Sequence, residues 1–370
     1  MMFQRVPDRD VLGSTEGAAR VMANNVTVRE IARAAEVSIG TVSRVLNEQA
    51  NVAKETRQHV LRVARGLGYQ QAVPPARATT VIREIGFVFN PVNQGTVAAA
   101  NPYWSRILAG SEQAAARHNV RLTYRSLRTL GVEVRAGVAQ MEVDAVLLVG
   151  PVDPWVIAEV RAARLPCMLV DHYQPASDVP AIMFDVFSGG RVATQHLIAR
   201  GHRQIAFIGG PRLGNDDPFA TIYTVELRAH GYRAALLDAG IAIDTRLVEP
   251  SNLTPEGGYQ ACVRLLEGGI PFTALFCAND SAAVGALKAL NEAGRQVPAQ
   301  VSVIGFGDYL DVAEQLTPAL TTIRTDLDAA GRLAVQRLVI DAQFDDLPPT
   351  LTLLPVHLIE RGSVRSLQTP

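Results

Sequence analysis

The chain has 370 residues, a net charge of −1, 48 % hydrophobic and 19 % charged residues, the composition of a folded protein of two or three domains. It is not a polycation as a whole, so any nucleic-acid contact has to come from a locally basic part. No run of about 18 apolar residues reads as a membrane span. The three cysteines, Cys167, Cys262 and Cys277, stand far apart inside apolar stretches, without metal-ligand or disulfide spacing. They read as buried thiols in a reducing cytoplasm, and neither a metal nor a cofactor is expected.

Residues 1–25 lack the apolar core of a signal peptide and read as a disordered leader. Residues 26–70 follow as three short helical segments. Thr27 and Glu30 have capping-box spacing at the start of the first, and Ile31, Ala32 and Ala35 form its apolar face. Glu36 and Val37 turn the chain, and Ser38 caps the second segment, VSIGTVSRVLN. There Val42, Val45 and Leu46 point inward, which leaves Ser38, Ile39, Gly40, Ser43, Arg44 and Asn47 outside or at the N-terminal end. The third segment, ETRQHVLRVARGLGY, turns Val60, Val63, Ala64 and Leu67 toward the pair. Two short helices joined by a tight turn and backed by a third form a helix-turn-helix. Residues 26–70 hold seven Lys or Arg against four Asp or Glu, a surplus of three positive charges. The exposed hydroxyls, the Asn47 amide and the N-terminus of the second helix suit DNA phosphates, and Arg44 can reach a guanine edge in two-pronged fashion.

A Pro- and Ala-rich linker, QAVPPARATTV, spans 71–81. From residue 82 to about 363 apolar strands alternate with amphipathic helices, such as QIAFIGG, DAVLLVG and TALFCAND before helical stretches. The alternation predicts a doubly wound α/β fold, and ten or so strands predict two sheets rather than one. Ligands in such folds bind beyond the carboxyl ends of the strands, or in a cleft between subdomains. No nucleophile elbow, metal cluster or dinucleotide loop is present, and His196, His202 and His230 read as helix-surface residues, so an enzyme is not expected. A periplasmic receptor is disfavoured by the helix-turn-helix.

The run TVREIARAAEVSIGTVSRVLN, then TRQHVLRVARGLGY, resembles the DNA-binding head of the LacI/GalR regulators. HLIARGHRQIAFIGG, GYRAALLDAG, ALFCANDSAAVGALKALNEAG, VPAQVSVIGFGD and PALTTIRTD resemble their bodies, and the similarity covers 26 to about 363. The resemblance implies an all-α helix-turn-helix head on an α/β body of two doubly wound subdomains, like a type I periplasmic binding protein. Subdomain one would take 82–185 and 324–343, subdomain two 186–323 and 344–363, with 364–370 as a tail. It implies a cytoplasmic transcriptional regulator, a repressor, that binds double-stranded operator DNA as a homodimer. A small-molecule effector in the cleft, a sugar or alternatively a nucleoside, would act as inducer or corepressor.

The resemblance places Thr27, Ser38, Thr41, Ser43 and Asn47 at phosphate-contacting or capping positions, and Ile39, Gly40 and Arg44 facing bases. Gly40 offers no side chain and Ile39 only an apolar surface, so Arg44 should carry the hydrogen-bonded readout. Tyr69, closing the head, and Ala78 complete the DNA-facing set. Ala78 falls where the family's hinge helix carries a leucine that wedges into the minor groove. An alanine is a poor wedge, so 71–81 is either a short helix begun at Pro75 or a plain linker. Glu36 stands where the family often has glycine, and Ala53 where a capping serine is common.

In the body, Asn90, Tyr103, Trp104, Asp171, Phe184, Arg228 and Asn279 resemble the family's effector-contacting set. Carboxylate, amide and guanidinium groups suit hydroxyls, and Trp104 or Phe184 could stack on a sugar's apolar face. Plainer roles stand beside these: caps for Asp171 and Asn279, an ion pair for Arg228, core packing for Trp104. Asp280 is expected to cap the helix it begins. Gly307 stands where many sugar-responsive members carry an aspartate, with Asp308 next to it, and NPVNQGTVAAANPYW lengthens the first loop over the cleft. The helix YWSRILAGSEQAAARHN is a candidate dimer surface, and ERGSVRSLQTP has no leucine heptad, so no tetramerising tail is expected.

Overall fold

The structure, a computed structural model, describes residues 27–46, 52–67, 81–89, 102–127, 134–175, 177–210, 223–309, 312–344 and 347–367. The expectations on the leader, on Asn47, Tyr69 and Asn90, and on the linker with Ala78 lie outside these residues. The chain divides into two compact units, Met1–Ala78 and Thr79–Pro370.

The first unit holds α1 (Val28–Ala34), α2 (Ile39–Leu46) and α3 (Lys54–Gly66). The capping box is present: the Glu30 N–H donates to Thr27 Oγ1 at 3.3 Å, and the Thr27 N–H donates to Glu30 Oε2 at 2.6 Å. Ser38 Oγ accepts from the Thr41 N–H at 3.0 Å and so starts α2. Between the two helices Glu36 sits at φ +53°. A side chain in that left-handed conformation costs roughly 1–2 kcal/mol, which is why a glycine suits this turn. Ile31, Ala32, Ala35, Val42, Val45, Val60 and Ala64 form the core. Leu67 departs from expectation: it follows the end of α3 and is 41 % exposed, and Val63 is only partly buried. Ala53 precedes α3 and gives it no side-chain oxygen as a cap.

The second unit is built on two six-stranded sheets. The first contains β1 (Glu84–Phe89), β2 (Arg121–Ser126), β3 (Ala145–Val149), β4 (Cys167–Val170), β5 (Ala181–Phe184) and β11 (Leu351–Leu354), in the order β11-β5-β4-β3-β1-β2 and parallel throughout. The second contains β6 (Ile205–Ile208), β7 (Val248–Glu249), β8 (Ala274–Cys277), β9 (Ser302–Gly307), β10 (Thr321–Thr325) and β12 (Val356–Ile359), in the order β12-β10-β9-β8-β6-β7. Only β12 is antiparallel, against β10. Between the strands run α4 (Pro102–Arg117), α5 (Val134–Ala139), α6 (Pro154–Ala162), α7 (Val186–Ala199), α8 (Tyr223–Asp238), α9 (Pro255–Glu267), α10 (Asp280–Glu292), α11 (Val312–Gln315) and α12 (Leu327–Asp341). The runs AVLLV, CMLV, IAFI and ALFC are buried along their whole length, as parallel strands covered by helices on both faces must be.

The chain passes from one sheet to the other after β5, after β10 and between β11 and β12. The first two crossings each carry an aspartate that caps the next helix: Asp185 accepts from the Ser188 N–H at 3.1 Å, and Asp326 from the Ala329 N–H at 2.8 Å. The third crossing corrects the expected division. Residues 344–363 do not all belong to the second subdomain, because β11 pairs with β5 and the chain changes sheets only at Pro355. Likewise β10 keeps residues up to Thr325 in the second sheet.

Two glycines bring α7 and α8 together. A Cβ on Gly190 would overlap the carbonyl of Arg228, and one on Gly231 would overlap the carbonyl of Phe187. This approach fixes the backbone that carries Arg228. His196 and His202 are buried rather than on helix surfaces, and only His230 is exposed. His202 is 0 % exposed, with Nδ1 2.9 Å from Thr273 Oγ1 and Nε2 3.1 Å from the Arg365 carbonyl. It therefore holds the C-terminal segment against the second sheet. Burial pushes the Cys167 thiol up to about 11, that of Cys262 to about 12, and that of Cys277 well above its ordinary value, so all three are inert thiols. Among the described residues no helix is long and apolar enough to cross a membrane.

Ala53→Ser should supply the missing cap and stabilise the head by about 1 kcal/mol. The shift of the head's transition in calorimetry of the intact chain measures it; no shift would mean that α3 is capped otherwise. Burial lowers the imidazole pKa of His196 and His202 below the ordinary value of 6.5. With the folded value depressed, the stability these groups contribute is complete above about pH 6.5 and is lost as pH falls through the lower folded value. Asp171 and Asp280, raised to about 6 by burial, act with the opposite sign. The histidine contribution is therefore read as a difference. In urea unfolding, the stability advantage of the wild type over His202→Gln should shrink between about pH 7.5 and 5.5; a constant advantage contradicts this.

Candidate functional site

In the first unit Ser38, just before α2, and Ile39, Gly40 and Arg44 on it are exposed to solvent, with Thr41 half-buried. Ile39 is 52 % exposed. Ser38 Oγ and Thr41 Oγ1 share a hydrogen bond of 2.8 Å. Arg44 folds back along its helix and donates from Nε to the Gly40 carbonyl at 3.2 Å. The first turn of α2 carries no acidic residue, so nothing opposes an anion at its N-terminus. Thr27 is exposed at the start of α1, and Ser43 lies on α2.

In the second unit three of the expected effector residues, Tyr103, Asp171 and Arg228, converge with Phe306. Tyr103 on α4 donates its hydroxyl to Asp171 Oδ2 at 2.7 Å. Asp171 follows β4 in the left-handed conformation, φ +55°, and is 7 % exposed. Burial raises its pKa to about 6, against the lowering pull of the Tyr103 hydroxyl and the Arg228 charge. Arg228 on α8 is also 7 % exposed. Its guanidinium lies 4.1 Å over the Phe306 ring and donates from Nη1 to the Ala278 carbonyl at 2.7 Å. Tyr103 and Asp171 come from the first sheet's side and Arg228 and Phe306 from the second. Asp171 Oδ1 and Arg228 Nε are buried and meet no protein partner. Among the described residues no ion pair joins the two.

Trp104 packs edge-on against Tyr103 at 4.8 Å and covers Gly150, where a Cβ would stand 2.7 Å from the indole. Phe184 is 1 % exposed and belongs to the buried core cluster. Asn279 caps α10, accepting from the Ala282 N–H at 2.9 Å, and its amide donates to the Leu253 carbonyl at 2.8 Å. Both ends of the amide are committed. Asp280 is thus not the cap. It is buried beneath the strand ends, where it accepts from Thr322 Oγ1 and from the Asp308 N–H, each at 2.6 Å. Asp308 turns away from the cleft onto Arg361 at 2.8 Å and Arg324 at 2.6 Å.

Three aromatic residues of this region carried no signal in the sequence. Tyr309 meets Tyr103 edge-on at 5.2 Å, and Tyr173 meets Tyr223 at 6.3 Å. Each pair joins one subdomain to the other. A tyrosine in a loop after a strand has no periodic context that would mark it out.

Comparison with known proteins agrees with both units. Residues 27–71 match the family model described as bacterial regulatory proteins, lacI family, and residues 194–364 match a periplasmic binding protein-like domain. The HTH-type transcriptional regulator CelR of Thermobifida fusca is 32 % identical over 91 % of this chain and 98 % of its own. Among solved structures, a CelR–cellobiose complex is 31 % identical with a TM-score of 0.67, covering 91 % of this chain and 99 % of that one. The lac repressor dimer bound to operator and the anti-inducer ONPF is 28 % identical with a TM-score of 0.66, covering 92 % and 100 %. The helix-turn-helix, the two-sheet body and these similarities together make the chain a member of the lacI family of DNA-binding transcriptional regulators.

Proposed function

We propose that the chain is a repressor that binds a two-fold operator as a homodimer and adjusts its operator affinity to a sugar held between the two subdomains. One observation carries the effector half of this reading: a buried carboxylate oxygen, Asp171 Oδ1, and a buried guanidinium nitrogen, Arg228 Nε, come from different subdomains and have no protein partners. Leaving such groups unbonded costs about 1–3 kcal/mol each. A hydroxyl is the simplest group that offsets both, since it donates to the carboxylate and accepts from the guanidinium. A polyol supplies several at fixed spacing, and the relative solved with cellobiose is consistent with that choice. The cytoplasm, where the DNA is, is the place of action.

On the DNA side, the residues of α2 and of the helix starts divide by chemistry. Thr27, Ser38, Thr41 and Ser43, with Asn47, Tyr69 and Ala78 beyond the described residues, are assigned to backbone and groove contacts. Ile39 offers a surface to a thymine methyl, and Arg44 leaves the Gly40 carbonyl to read a guanine. A sugar that bonds both Asp171 and Arg228 changes the angle between the subdomains, and through it the spacing of paired heads.

Two variants test the halves separately in a fluorescence-anisotropy assay on the DNA segment that the wild type protects upstream of its own gene. Arg44→Ala should lose about 1–3 kcal/mol of binding and become tolerant of the base it reads. Unchanged affinity would mean that α2 is not the recognition helix. Asp171→Ala should bind DNA like the wild type yet no longer respond to the sugar. A preserved response would remove Asp171 from the effector site.

A further inference from the structure

We propose that Tyr309 is a specificity-determining residue of the cleft, selecting effectors that present a flat face of C–H groups, the pyranose class, over furanoses and nucleosides. The inference rests on reading the cleft as the effector site and adds to it which ligands that site prefers.

Strand β9 ends at Gly307 with φ +128°, a conformation that side chains rarely adopt. A Cβ there would stand 2.5 Å from Cδ1 of Tyr309. The bare backbone at 307 is therefore what lets the Tyr309 ring lie against the strand end. Its hydroxyl also interacts with Ser281 and Asn279 at the start of α10. Fixed in this way by subdomain two, it reaches Tyr103 of subdomain one, 5.2 Å away and nearly perpendicular at 82°. Tyr103 in turn holds Asp171. The second pair, Tyr173 and Tyr223, stands two residues after Asp171 and five before Arg228. With Asp171 bonded to Tyr103 and Arg228 lying over Phe306, the two charged side chains sit beside aromatic rings from both subdomains.

This environment sorts ligands. Tyrosine faces carry a negative quadrupole and attract C–H groups with partial positive charge. A pyranose chair with equatorial hydroxyls turns its hydroxyls outward at the rim and its C–H groups onto a flat face. That pairing meets the carboxylate and guanidinium at the edge and a ring on the face. A puckered furanose offers a smaller flat face. Any side chain at 307 would displace Tyr309 and replace an aromatic surface with another kind of contact.

Isothermal titration calorimetry of the intact chain tests the proposal with cellobiose, ribose and cytidine as probes. The wild type should bind cellobiose at least about tenfold more tightly than the other two, the size of one good aromatic contact. Tyr309→Phe, which keeps the ring, should stay within about threefold of the wild type, whereas Tyr309→Ser should lose at least about tenfold for cellobiose and little for ribose. Tyr309→Leu, which keeps the apolar bulk, should behave like the serine variant and guards against a folding defect. The proposal is overturned if the serine and leucine variants keep the preference, or if the wild type prefers ribose or cytidine or binds none of the three. Asp171→Ala separates the two readings. If it loses whichever probe the wild type binds while the Tyr309 variants do not, the cleft is the effector site and Tyr309 does not sort ligands. If it binds that probe as the wild type does, the cleft reading itself fails.

Discussion

Two opposite charges are buried in the cleft without being paired to each other. Asp171 and Arg228 come from different subdomains, and each spends part of its bonding capacity on its own side, on Tyr103 and on the Ala278 carbonyl. A directly paired carboxylate and guanidinium would lock the subdomains together and leave a ligand nothing to do. Fully exposed ones would be worth little to any ligand in competition with water. Buried and half-satisfied, they leave one unpartnered polar atom on each subdomain, which on the proposed reading a polar ligand satisfies. On the proposed reading this deficit is the energy source of the switch, since only a ligand with a different affinity for two arrangements can shift their balance.

Much of the second unit serves to hold these two groups in place. Arg228 is carried on a helix pressed against its neighbour through Gly190 and Gly231, and its guanidinium rests on Phe306. Asp171 is aimed by an unusual backbone conformation at a strand end and steadied by a tyrosine from α4. The chain passes three times between the sheets, twice at an aspartate that caps the next helix. Those crossings are short and capped, so a change of angle between the sheets is confined to a few residues. Asp280, expected to cap the helix it begins, and Asp308, next to Gly307, instead tie strand ends together.

Local rules were the most legible part of the sequence. Thr27 with Glu30, and Ser38, announce helix starts because capping depends on residues three positions apart. The apolar runs of the central strands announce burial on both faces. Glu36 was marked as a misfit in its turn and does adopt a left-handed conformation. What escaped notice depends on long-range contacts. Strands β11 and β12 lie at sheet edges, where burial alternates and no apolar run forms. His202 looks like a polar residue after a helix, and only the return of the C-terminal segment buries it. Asp171 and Arg228 were found through family resemblance rather than spacing, since they are 57 positions apart in the chain. Tyr309, Tyr173 and Tyr223 gave no signal, because neither tyrosine pair shares an element.

The most direct measurement is a footprint of the purified protein on the DNA upstream of its own gene, at two salt concentrations, with and without cellobiose. A symmetric footprint of roughly two helical turns, weakening steeply with salt and changed by the sugar, is the predicted result. Protection that is asymmetric, insensitive to salt and unaffected by the sugar would contradict a dimeric operator-binding protein governed from this cleft.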